Sequence, residues 1–482
     1  MSNIHISSLN LSYGSKVIFD NAELNIDLSW QLGLVGRNGR GKTSLLKLLA
    51  ERIPVSQYFP QTIPNPSQLT FYLLQDLIAV EQWQIERELN LLKVDLDCLW
   101  RPFESLSGGE KTKCLLALLF LDEGGFSLID EPTNHLDQAS REDLLYYLNQ
   151  KKSGFIIVSH DRDFLNRATD HTLAIERQDI RLYQGNYATY EAEKALTDQQ
   201  EASENQKHER EIARLKLTAR SKADWSGKRE KSKNKGEFSD NGFESARAAR
   251  MMKKSKQLER RLQQEITEKE GLLKNIEKIN PLTMNTKKSK SPVLLSLEEV
   301  ILSYDQPLFE PVSLDLKAGD ILSIEGPNGS GKTSLLKAIL SDFDASLSGE
   351  IKKAHQLKIS YLSQNQSYRG QLRDLAEYYH LDLELFYNNL RKLGLERKSF
   401  EQAIESMSQG EQKRVALAKS LTESAELYLW DEPLNYLDVF NQDQLIDLIH
   451  QHRPSMILIE HDRRFLEAVR AETIQLAPTQ SR

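Results

Sequence analysis

The chain is poor in cysteine: Cys98 and Cys114 are the only two in 482 residues. Their spacing does not match a metal site, which excludes a disulfide framework and a Cys-based zinc centre and leaves both as small buried hydrophobes. The sequence also lacks any run approaching the roughly 20 apolar residues that a membrane span requires. Residues 1–11 contain no basic stretch followed by an apolar one, so no export signal is read there. A cytoplasmic protein without a membrane domain is expected. Apolar residues make up 39% and the net charge is −7, an ordinary globular balance, and the length argues for two or three domains.

What is present is a repeat. Gly36, Arg37, Asn38, Gly39, Arg40, Gly41, Lys42 and Thr43 return as Gly326, Pro327, Asn328, Gly329, Ser330, Gly331, Lys332 and Thr333. Each loop follows a strand-like run (31–35, 321–325) and precedes a helical one opened by Ser44 or Ser334, the context a phosphate loop requires. Glycines let backbone amides close around phosphate, Lys42 and Lys332 would bind the terminal phosphates, and Thr43 and Thr333 would ligate Mg2+. A plain chain turn does not explain the full eight-residue pattern occurring twice.

Two apolar runs end in paired acids, Phe126-Ser-Leu-Ile-Asp130-Glu131 and Leu427-Tyr-Leu-Trp-Asp431-Glu432. They read as buried parallel strands whose C-terminal ends meet the nucleotide. Neighbouring strand residues point to opposite sides. Asp130 and Asp431 can therefore hold the metal shell while Glu131 and Glu432 orient the attacking water. Acid pairs often only solvate a strand end, but Pro132-Thr-Asn-His-Leu-Asp137 and Pro433-Leu-Asn-Tyr-Leu-Asp438 follow these two in parallel.

With these motifs the chain resembles the ABC ATPase superfamily, in both halves. Leu106-Ser107-Gly108-Gly109-Glu110 resembles the family signature, and Met407-Ser408-Gln409-Gly410-Glu411 is a variant in which Gln409 replaces a glycine. The resemblance implies that Gln61 and Gln364 are the glutamine loops that help bind nucleotide and Mg2+. It also implies that His160 and His461 are switch histidines with catalytic roles. Tyr13 and Tyr304 are candidates for stacking on adenine and equally for core packing. In such proteins each phosphate loop faces the opposite signature. One ATP site would then join Lys42, Asp130, Glu131 and His160 to Ser408, and the other Lys332, Asp431, Glu432 and His461 to Ser107. The expected fold is α/β, two cassettes at 1–190 and 291–482, each with an α/β core and a helical subdomain, paired within a monomer.

Between the cassettes, residues 191–290 are rich in Lys, Arg, Glu, Gln and Ala and read as a long helical hairpin, broken near Trp225 to Phe243 by Gly227, Gly236 and Gly242. Arms of about 45 residues would reach on the order of 65 Å. From Glu211 to Arg260 there are 15 Lys or Arg against 7 Asp or Glu. A basic projection suits a phosphate backbone, and mixed charge alone would also suit a solvated helix pair.

These features are similar to the ABC-F translation proteins, and Trp100-Arg-Pro-Phe-Glu-Ser-Leu-Ser-Gly-Gly-Glu-Lys-Thr-Lys113, Ala223-Asp-Trp-Ser226, Ala246-Arg-Ala-Ala-Arg250 and Trp430 to Phe440 resemble the Lsa-type resistance subgroup. The resemblance implies a bacterial 70S ribosome as partner, through 23S rRNA and P-site tRNA, and ATP with Mg2+ as cofactors. It implies protection against lincosamides, pleuromutilins and streptogramin A, with the hairpin tip at about 228–243 reaching the drug. Lys235, Phe238 and Phe243 are the tip candidates, without a register to choose among them. A housekeeping ABC-F factor that rescues stalled ribosomes and a transporter ATPase subunit are the competing readings. One departure concerns the first cassette: Thr43 to Gln61 is 18 positions against 31 from Thr333 to Gln364, so most of a β-hairpin is expected to be missing there.

Overall fold

The computed structural model describes residues 3–13, 16–53, 56–121, 125–134, 136–176, 179–233, 257, 260–261, 264, 266–267, 269, 280–364 and 368–477, with the side chains of 13, 16, 56 and 219–233 excepted. The chain divides into two units. One comprises Met1–Thr189 and Ile279–Arg482, which holds both cassettes, and the other is Tyr190–Lys278.

In the first cassette β1 (Asn3–Tyr13) and β2 (Lys16–Asp27) form an antiparallel pair. The main sheet has the order β4-β5-β6-β3-β7-β8, built from β3 (Gln31–Val35), β4 (Ser56–Phe59), β5 (Phe126–Asp130), β6 (Phe155–Val158), β7 (His171–Glu176) and β8 (Asp179–Gln184). All its neighbours are parallel except β7 and β8. Strand β6 is apolar from end to end, and β5 is buried from Phe126 to Ile129, because both their faces are covered, as a parallel sheet demands. The helix Lys42–Arg52 seals one face through Leu45, Leu46 and Leu49, all fully buried.

The second cassette repeats the plan. Its side sheet runs β10-β9-β12, from β9 (Val293–Ser303), β10 (Val312–Lys317) and β12 (Ser346–Lys353). Its main sheet runs β13-β14-β15-β11-β16, from β11 (Ile321–Glu325), β13 (Ile359–Leu362), β14 (Leu427–Asp431), β15 (Met456–Ile459) and β16 (Glu472–Gln475), all parallel. Strand β12 has no counterpart among the described residues of the first cassette, whose side sheet stops at two strands. The sequence difference between Thr43–Gln61 and Thr333–Gln364 is therefore this strand and its connections. Between glutamine loop and signature, each cassette inserts a small helical layer, Thr70–Leu77 with Gln82–Leu91 and Leu372–Tyr378 with Leu383–Lys392.

The linker unit is dominated by the helix Tyr187–Lys233, 47 residues long, or about 70 Å at the α-helical rise. Asn186 precedes it, and its Oδ1 accepts from Thr189 N at 3.3 Å, one of the otherwise unpaired first-turn donors. The chain folds back on itself farther on, where Lys269 Nζ pairs with Glu211 Oε2 at 2.5 Å and Ile212 and Ile266 are buried. The expected break near Trp225 and Gly227 is corrected: the helix passes through both to Lys233. A lone glycine costs a helix only about 1 kcal/mol, which flanking helix formers offset. Residues 228–233 of the expected tip are thus helical, while Lys235, Phe238 and Phe243 lie outside the described residues.

Candidate active sites

Each phosphate loop closes on its own lysine. Lys42 Nζ donates to Gly36 O at 2.8 Å and Asn38 Oδ1 at 3.2 Å, and Lys332 Nζ to Gly326 O at 2.8 Å and Pro327 O at 2.9 Å. Burial lowers both lysines, opposed by the carboxylates around them, with Glu131 foremost for Lys42 and Glu432 for Lys332. The loops need glycine in one respect above others. Gly41 and Gly331 sit at φ 88° and 86°, and a Cβ on Gly41 would meet Ile18 Cγ2 at 2.6 Å.

The threonine after each lysine meets the strand-end aspartate. Thr43 Oγ1 donates to Asp130 Oδ2 at 2.7 Å and Thr333 Oγ1 to Asp431 Oδ2 at 2.8 Å. Burial raises both carboxyls, Asp431 to about 6. Hard oxygen donors thus converge at the mouth of each phosphate loop, a donor set that fits Mg2+. The glutamine loops use their amide nitrogens: Gln61 Nε2 donates to Leu115 O at 3.3 Å and Gln364 Nε2 to Glu432 Oε2 at 2.7 Å.

The two glutamates share one backbone geometry and differ in partners. Glu131 and Glu432 occupy the left-handed region, φ 54° and 49°, each pinned from the neighbouring strand end by Val158 O or Ile459 O. Glu131 Oε1 lies 3.0 Å from His160 Nε2. Burial works against the charge of Glu131, yet His160 and Lys42 hold its carboxyl below the ordinary range. In the second cassette Glu432 Oε2 accepts from Gln364 and, at 2.5 Å, from Asn435 Nδ2. His461 is pushed down to about 4 by burial and by Lys332 and Arg141.

Both signatures are helix N-termini of one design. Ser107 and Ser408 cap the helices Gly108–Leu119 and Gln409–Thr422, each exchanging hydrogen bonds with Glu110 or Glu411 three residues on. Such a terminus presents free N–H groups and a positive dipole end. Gly109 lies in the first turn of its helix, as Gly410 does in the other.

The cassettes meet through their phosphate loops. Asn38 N donates to Asp438 Oδ2 at 2.7 Å and its Nδ2 to Tyr436 O at 3.0 Å; in the other direction Asn328 N reaches Asp137 Oδ2 at 3.3 Å. Gln442 Nε2 holds His160 O at 3.3 Å, and Arg162 Nη2 binds Asp443 Oδ1 at 2.6 Å and Val439 O at 2.9 Å. Arg162, Gln442, Tyr436, Asp137 and Asp438 had no role assigned from sequence. The two aspartates carry a signal, since each is followed by a helical run that it caps.

Of the tyrosines, Tyr304 is 59% exposed with its ring 5.4 Å from that of Phe343. Tyr13 ends β1, and its side chain lies outside the described residues. Cys98 and Cys114 are both buried, their Sγ atoms 3.9 Å apart, Cys114 being on the first signature helix itself. Among the described residues no helix is long and apolar enough to cross a membrane.

Residues 19–134 and 309–435 each match the family model described as ABC transporter. The chain is 29% identical over 96% of its length to the ribosome protection protein VmlR of Bacillus subtilis, covering 85% of that protein. It is 26% identical over 96% of its length to the probable ATP-binding protein YheS of Escherichia coli, covering 77% of it. Among solved structures, the archaeal ribosome recycling factor aABCE1, in complex with the stalk protein aP1, matches with a TM-score of 0.63 at 18% identity, over 97% of this chain and 87% of that one. At that identity the likeness speaks for the fold alone. With both halves of the match carrying a complete phosphate loop and paired strand-end acids, the chain belongs to the ABC transporter family and is a two-cassette ATPase.

Proposed function

We propose that this ATPase is an ABC-F protein that protects ribosomes from antibiotics of the peptidyl-transferase centre. The observation that carries the reading is the 29% identity to a ribosome protection protein across 96% of this chain, linker included. The pairing of both cassettes within one chain and the basic stretch 211–260 support it.

In this reading Lys42 and Lys332 bind the β- and γ-phosphates, and the opposed N-termini at Ser408 and Ser107 engage the same γ-phosphates from the other cassette. Thr43 with Asp130, and Thr333 with Asp431, would hold Mg2+, which supplies charge neutralisation on the phosphates. Glu131 and Glu432 accept a hydrogen bond from the attacking water, and His160 and His461 steady that arrangement. ATP joins the cassettes, and its cleavage removes the contact that holds them closed. The closed form enters the tRNA exit site beside 23S rRNA and P-site tRNA, the linker dislodges lincosamide, pleuromutilin or streptogramin A, and hydrolysis releases the protein.

The test is expression in a susceptible bacterium, comparing inhibitory concentrations of lincomycin, tiamulin and erythromycin. The first two should rise. Unchanged values for both would sink the resistance role, and ribosome binding without protection would favour a housekeeping translation factor.

A further inference from the structure

The second cassette departs from the first at two positions that are 27 residues apart in sequence and touch in space. Gln409 stands where the first signature has Gly108, and Tyr436 where the first cassette has His135. The Tyr436 hydroxyl donates to Gln409 Oε1 at 3.0 Å. Tyr436 adopts φ 65°, unusual for a bulky side chain, which lays its Cβ against the next signature residue: a Cβ on Gly410 would lie 3.5 Å away, in ordinary contact. The carbonyl of Tyr436 accepts from Asn38 Nδ2 at 3.0 Å, and Asn38 Oδ1 accepts from Lys42 Nζ.

Lys42, Asn38, Tyr436 and Gln409 thus form one hydrogen-bonded chain from the phosphate lysine of one cassette to the signature of the other, ending beside Ser408. The other site has no such chain among the described residues: Lys332 Nζ turns to two carbonyls of its own loop. A glutamine in a signature brings a long, rotatable amide to a place built for glycine. The tyrosine holds that amide in one position, and its own backbone carbonyl is docked on Asn38.

We infer that Tyr436 and Gln409 are positioning residues that set the signature of the second cassette for ATP held by Lys42, so that this site engages nucleotide through a pre-set contact for which Gly108 of the other signature has no side chain. This rests on the reading of Lys42 and Ser408 as parts of one ATP site. It does not depend on what the protein does at the ribosome, because the experiment uses purified protein and ATP alone.

The full chain carrying Glu131→Gln and Glu432→Gln, expected to bind ATP without cleaving it, is titrated with ATP to resolve its two dissociation constants. Tyr436→Phe and Gln409→Gly should each weaken one constant by roughly three- to tenfold, the loss of one neutral hydrogen bond, and leave the other within about twofold. Combined, they should weaken it no further than either alone. Tyr436→His with Gln409→Gly, the residues of the first cassette, should bind at least as tightly as Gln409→Gly. Unfolding midpoints of all variants are measured alongside. Equal weakening of both constants, independent effects that add, unchanged binding, or weakening that tracks a lowered midpoint would each overturn the inference. Binding of only one ATP would overturn the two-site reading beneath it.

Discussion

His160 Nε2 meets Glu131 Oε1 at 3.0 Å, whereas the equivalent His461 Nε2 is buried without a hydrogen-bond partner among the described residues and Glu432 is held by Gln364 and Asn435 instead. The two sites are therefore unequally prepared. The first has its glutamate already paired with the histidine; the second has its glutamate paired with Gln364 and Asn435.

It follows that His160→Ala should slow ATP turnover more than His461→Ala, while Gln364→Ala should release Glu432 and change the second site alone. Steady-state ATPase rates of the three variants check this. Replacing both glutamates with Gln should lower turnover roughly 10²-fold or more, the range of a lost general base. It should also make the protein co-sediment with ribosomes in ATP, and a double variant that stays in the supernatant would contradict the ribosomal reading.

Asp438 and Asp137 each cap a helix and reach the opposite phosphate loop, at 2.7 and 3.3 Å. Alanine at either should cost about 1 kcal/mol of stability through the lost cap. The shorter contact predicts that Asp438→Ala impairs ATP-driven pairing of the cassettes more than Asp137→Ala does. Inter-cassette distances measured between labels, with and without ATP, separate the two effects.

Glu460 is buried beside His461, accepting from His461 N at 2.7 Å and Leu434 N at 3.2 Å. Burial, with Asp462 and Glu432 nearby and Arg141 opposing, raises it to about 7 from the ordinary 4.5. Between those values the unfolded chain has lost this proton while the folded chain keeps it, so this group's contribution is fully present below pH 4.5 and lost as pH rises to 7. Glu460→Gln should therefore raise the thermal midpoint by a few degrees at pH 8, with the gain shrinking toward pH 5. A gain independent of pH would refute this account. The first cassette has the uncharged Thr133 and Ser159 hydroxyls, 2.8 Å apart, at the matching place.

Gly41→Ala would force a Cβ to 2.6 Å from Ile18 at a φ of 88°. The left-handed conformation alone costs about 1–2 kcal/mol, and the contact adds to it. Nucleotide binding at the first loop should drop with little change at the second, as ATP titration would detect.

Much of this was legible in the sequence, for physical reasons. Buried parallel strands are continuous apolar runs, so 31–35, 321–325 and the strands ending at Asp130 and Asp431 could be read directly. The phosphate loops declare themselves because glycine, lysine and threonine each have a separate task at fixed spacing. The contacts of Tyr436 with Gln409 and of Arg162 with Asp443 were not legible. They depend on how surfaces far apart in the chain are brought together, and no local periodicity encodes that. The helix through Gly227 is not legible either, because one glycine weighs little against a long run of helix formers.

The left-handed backbone of Glu131 and Glu432 has an evolutionary consequence. Each position holds a side chain where glycine or asparagine would sit with less strain, on the order of 1 kcal/mol apiece. A lineage that needed only ATP binding would gain stability by drifting to either residue. Glutamate at both positions costs the fold that strain in each half, a cost that the proposed role in turnover accounts for and nucleotide holding alone does not.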